Sequence, residues 1–86
     1  MRIINDEESA LKGINRAARH LSEGRTRRAR IALRYAWKSL RLAKRDGRLC
    51  ETAEMRLKEV QADIRRELDD WGWHPSDDGQ GGRRWR

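Results

Sequence analysis

Between Asp6 and Trp71 the apolar residues return every three or four positions, in three runs set apart by Gly24 and Gly47. That is the period of an α-helix with one buried side. In the first run Ala10, Leu11, Ile14, Ala17, Ala18 and Leu21 form a single stripe, with Lys12, Arg16, Arg19 and Glu23 opposite. In the second, Ala29, Ala32, Leu33, Ala36, Leu40 and Ala43 make one apolar sector, which Ile31, Tyr35 and Leu42 widen to roughly half the circumference. So wide an arc predicts two neighbouring helices. In the third run Cys50, Ala53, Leu57, Val60, Ile64 and Trp71 recur at coiled-coil-like spacing, with Leu68 beside them. The pattern predicts an all-α fold, a small antiparallel three-helix bundle with helices near residues 6–23, 27–46 and 50–71, the second packed by both others.

The punctuation between the runs agrees with this reading. Asn5 is an expected N-cap with Glu8 completing a capping box, and Thr26 an expected cap for the second helix. Gly24, Gly47 and Gly72 are expected to close the three helices in turn, since a helix end commonly needs a residue with positive φ. Trp71, with Trp73, is expected to fold back over the open end of the bundle. Residues 1–72 then form the bundle. Residues 73–86, with Pro75, several glycines and Trp85 among arginines, read as a flexible Trp/Arg-containing tail.

Composition sharpens the picture in one respect. The chain has 86 residues and a net charge of +7, and its basic excess is concentrated: Arg25 to Arg48 holds ten basic residues and a single acid, Asp46. One domain of this size has a core only a few side chains deep. Because a helix of this domain and not the whole surface carries the excess, the charge points to a polyanionic or acidic partner. One cysteine, Cys50, excludes an intramolecular disulfide and reads as a small buried side chain. No run is apolar enough to span a bilayer or to serve as a signal peptide, so a cytoplasmic protein with no membrane partner is expected.

Ala17, the turn Glu23-Gly24-Arg25, and Ala29, Leu33 and Ala36 stand at spacings similar to the small-residue pattern of a tetratricopeptide unit, over about a quarter of the chain. Arg16 stands at a usual leucine position and Arg41 at the usual proline, and no second repeat follows. The resemblance therefore implies two closely approaching antiparallel helices and no membership of that family.

The candidate chemistry lies on the second helix. Arg27, Arg30, Arg34, Lys38, Arg41, Arg45 and Arg48 recur at steps of three and four, so they stack into one basic ridge. A guanidinium can grip a phosphate or a carboxylate with two parallel hydrogen bonds, and the ridge supplies one cation per turn. Arg30 and Lys38, at the flanks, are placed to reach a neighbouring helix. Readout of base sequence is not expected, because the only small polar residue on the helix past Thr26 is Ser39, opposite the ridge. The ridge fits either the phosphate backbone of DNA or RNA, or an acidic protein surface on which a small regulatory or inhibitory protein docks. Trp37 stands at its edge as an apolar residue or a partner contact. Arg83, Arg84 and Trp85 in the tail add a second cationic and aromatic cluster suited to either partner.

Catalysis is not expected. His20 and His74 fall on different elements, no zinc-ligand spacing is present, and neither a catalytic residue, a metal nor a cofactor is assigned. A homodimer is a possible expectation on the ground that the small core leaves apolar positions of the third helix to be covered.

Overall fold

The computed structural model describes residues 6–48 and 50–76, which form three helices and no strand: α1 (Asp6–Ser22), α2 (Thr26–Arg45) and α3 (Glu51–Leu68). Together they make the expected all-α three-helix bundle. The N-terminal arm with Asn5, residue Leu49, and the tail with Arg83, Arg84 and Trp85 lie outside the described residues.

All three helices end on one device. At each C-terminus a residue with positive φ turns the chain, and the next backbone N–H reaches back to a carbonyl five residues earlier. Gly24 (φ 79°) lets Arg25 N–H donate to His20 O at 2.8 Å, and Gly47 (φ 83°) lets Arg48 N–H donate to Ala43 O at 3.1 Å. The third end departs from expectation. Asp69 (φ 56°), not Gly72, takes the left-handed position, and Asp70 N–H donates to Arg65 O at 3.1 Å. Asp tolerates this conformation better than most side chains do. The α1–α2 turn is also one residue tighter than expected. Arg25 occupies the N-cap position without a side-chain hydrogen bond, and Thr26 is already helical.

α1 and α2 pack antiparallel along small residues and share the largest of the helix interfaces. Ala10 and Ala17 on α1, and Ala29, Ala36 and Ala43 on α2, are buried at intervals of seven. Gly13 completes the seam, because a Cβ there would lie 3.0 Å from Ala36 Cβ. α3 contacts both helices of the hairpin to a similar extent. It buries Cys50, Ala53, Leu57, Val60 and Ile64, and Arg56 Nε donates to Asn15 Oδ1 at 3.4 Å. The α3 seam offered for a homodimer is thus buried within the chain. Burial pushes the Cys50 thiol above its ordinary pKa, with help from the nearby negative charge of Glu7 and Glu54, as suits an inert core residue.

After Asp69 the chain doubles back. Asp70 Oδ1 accepts the Gly72 N–H at 3.1 Å, and the turn delivers Trp73 into the core at 1% exposure while Trp71 stays outside at 62%. The expectation that Trp71 joins the α3 seam is corrected here: α3 ends three residues short of it, so its helical register does not continue. The returning segment is fixed by two side chains of α3, since Gln61 Nε2 and Arg65 Nε both donate to Trp73 O, at 3.3 and 2.8 Å.

Candidate nucleic-acid interface

α2 is about 30 Å long at 1.5 Å per residue, and its sequence divides the cylinder into a buried and an open side. Leu33, Leu40 and the alanines face the other helices. The ridge faces outward: Arg27, Lys38, Arg41 and Arg45 are exposed, and Arg34 is half-buried. Arg48 is exposed just beyond the helix, in the turn its own N–H closes. Arg30 is half-buried and interacts within the chain, which fits its place at the flank. Lys38, expected to reach a neighbour in the same way, forms no ion pair among the described residues.

The charge balance decides what the ridge is free to do. Three of the five acids of α3 are paired with cations other than those of the ridge: Glu54 with Lys44, Glu59 with Arg56 at 3.0 Å, and Asp63 with Arg66 at 3.3 Å. Lys44 holds the Glu54 carboxyl below its ordinary pKa chiefly by hydrogen bonding to it. Among the described residues, none of Arg27, Arg34, Lys38, Arg41, Arg45 and Arg48 has a carboxylate partner. Cations at about one-turn intervals without carboxylate partners set up a positive field along the helix.

Trp37 serves the ridge from beneath. It packs against the core cluster, the Arg41 guanidinium lies 4.9 Å from the centre of its ring, and His74 meets it at 5.1 Å and 89°. His74 is itself held by Ser76, whose backbone N–H donates to Nδ1 at 3.1 Å and whose Oγ lies 2.8 Å from the same atom. A chain of contacts from the returning segment after α3 thereby positions one cation of the ridge. Trp37 is half-buried, packed on the core at one edge and set beside the Arg41 guanidinium at the other.

Several features of the face were not legible in the ridge pattern. Ile31, Tyr35 and Leu42 are exposed at 42%, 61% and 52%, although the apolar arc assigned them to a neighbouring helix. Lys12 and Arg16 of α1, read as its solvated side, line a depression of about 210 Å³ together with Tyr35 and Ser39 of α2. A second depression, about 220 Å³, is lined by Lys38, Arg41, Leu42 and Arg45. The helical spacing of α1 and α2 taken separately does not show that these residues share a face. Antiparallel pairing brings them together.

Among the described residues no group of three or more His, Cys, Asp or Glu side chains is placed to hold a metal ion, and no helix is long and apolar enough to cross a membrane. No protein-family model matches the chain, and no curated protein or solved structure is significantly similar to it.

Proposed function

We propose that this protein is a non-catalytic nucleic-acid-binding module that grips the phosphate backbone with the α2 ridge. One observation carries the reading: Arg27, Arg34, Lys38, Arg41 and Arg45 stand along about 27 Å of helix without carboxylate partners among the described residues. Phosphates arranged along a strand offer each turn of the helix a counter-charge, and their condensed counterions are released on contact. The lack of amide side chains on α2 supports binding that is independent of base sequence.

The test is fluorescence anisotropy of labelled DNA and RNA across about 50 to 200 mM salt. Affinity is expected to fall with salt at a log–log slope near −4, the value about four to five phosphate contacts give. Arg34→Ala and Arg41→Ala are each expected to weaken binding to all sequences alike and to flatten that slope by about one unit. Absence of binding at the lowest salt, or affinity untouched by both substitutions, would sink the proposal. An acidic protein surface is the competing partner for the same face. Its signature would be an affinity concentrated in a few anchors and a shallow dependence on salt.

A further inference from the structure

The proposed function uses the charges of the face and leaves its apolar part without a role. Ile31, Tyr35 and Leu42 lie along one line of α2, at steps of four and seven residues, and all three are exposed. Cations bound the line on both sides. Lys38, Arg41 and Arg45 stand on the ridge side, and Lys12 and Arg16 stand across the depression toward α1. Neither Lys12 nor Arg16 has a carboxylate partner among the described residues. The face is therefore a strip of apolar floor between two cationic walls.

The walls decide what can lie on the floor. A second copy of this chain would bring two sets of unpaired cations together, which like-charge repulsion opposes. A duplex offers phosphates to the walls but keeps the faces of its bases stacked inside, so Tyr35 would gain nothing from it. An unpaired strand presents both parts at once, phosphates to the cations and base faces to the floor. Tyr35 and Leu42 are about 10 Å apart along the helix axis, several times the base-to-base rise of about 3.4 Å, so they meet different nucleotides.

We infer that the α1–α2 face binds single-stranded nucleic acid, with Tyr35 as the platform on which a base stacks, Ile31 and Leu42 covering bases farther along the strand, and Lys12 and Arg16 extending the backbone contact beyond α2. This inference rests on the backbone-binding reading and narrows it. Stacking on an aromatic side chain tolerates any base, which agrees with the absence of amide side chains on α2.

The experiment compares poly(U), poly(dT) and a duplex of equal length by anisotropy, for the wild type, Tyr35→Ala and Tyr35→Phe. Tyr35 is exposed, so both variants are expected to keep the helical circular dichroism of the wild type. The wild type is expected to bind both single strands more tightly than the duplex. Tyr35→Ala is expected to lower single-strand affinity about tenfold, within the range for loss of one stacked base. Tyr35→Phe, which keeps the ring, is expected to stay within about threefold of the wild type. Equal or tighter binding of the duplex would overturn the inference. So would a Tyr35→Ala loss of the same size on duplex and single strand, or no loss at all; each of these leaves backbone binding in place. A wild type that binds none of the three would overturn backbone binding as well. A preference between poly(U) and poly(dT) with the Tyr35 dependence intact supports the inference and identifies RNA or DNA as the source.

Discussion

Trp73→Ala is expected to cost about 3–5 kcal/mol of folding stability, the range for removing a large buried aromatic. Trp71→Ala is expected to stay within about 0.5 kcal/mol, as surface substitutions do. The two residues are two positions apart and of the same type, and only their exposure, 1% against 62%, separates them. Urea unfolding followed by far-ultraviolet circular dichroism measures both. Small domains hold about 5–15 kcal/mol in total, so the alanine variant loses a large share of its reserve. Trp73→Phe refines the test, because Trp73 Nε1 is buried with no hydrogen-bond partner among the described residues. Phenylalanine removes that N–H and keeps most of the ring, so its cost is expected to be well below that of alanine. Equal losses at positions 71 and 73 would show that the returning segment does not seat Trp73 in the core.

Ala36→Leu is expected to destabilise by about 1–3 kcal/mol through overpacking. Ala36 is 2% exposed, and its Cβ already lies so near Gly13 that a methyl on the glycine would come within 3.0 Å of it. Three further carbons have no room unless α1 and α2 separate. Gly13→Ala is the milder companion. Its steric cost opposes a gain of about 1 kcal/mol from the better helix propensity of alanine, so its net effect is expected to be small. The same unfolding measurement checks both variants. An Ala36→Leu protein as stable as the wild type would mean that the hairpin is not held at the spacing described.

Much of the fold was legible in the sequence, because three amphipathic runs separated by glycines admit few arrangements. The positions of Gly24 and Gly47 located two helix ends to within a residue or two. The third end was misread for a physical reason. Leu68 and Trp71 extend the apolar period of α3, and the period carries no sign that Asp69 adopts positive φ and ends the helix first. The side chain that reaches the core is then set by the turn that follows, which selects Trp73. The ridge was legible because it is a property of one helix. The floor beside it was not. Ile31, Tyr35 and Leu42 looked like core positions on a wheel, and only the placement of α3 on the other flank of α2 leaves them uncovered. Lys12 and Arg16 joined the face through the α1–α2 pairing, to which the spacing within α1 is blind.

The alanine seam also shapes the thermal behaviour of the molecule. Much of the core is made of methyl groups, at Ala10, Ala17, Ala29, Ala36, Ala43 and Ala53, which bring helices close while removing little apolar area from water. The heat capacity of unfolding scales with that area, so stability plotted against temperature forms a flat, low dome. For a chain of this length each kcal/mol added to the native state shifts the melting temperature by roughly 4–8 °C. Polyanion binding of the kind proposed is therefore expected to be read directly as a rise in melting temperature.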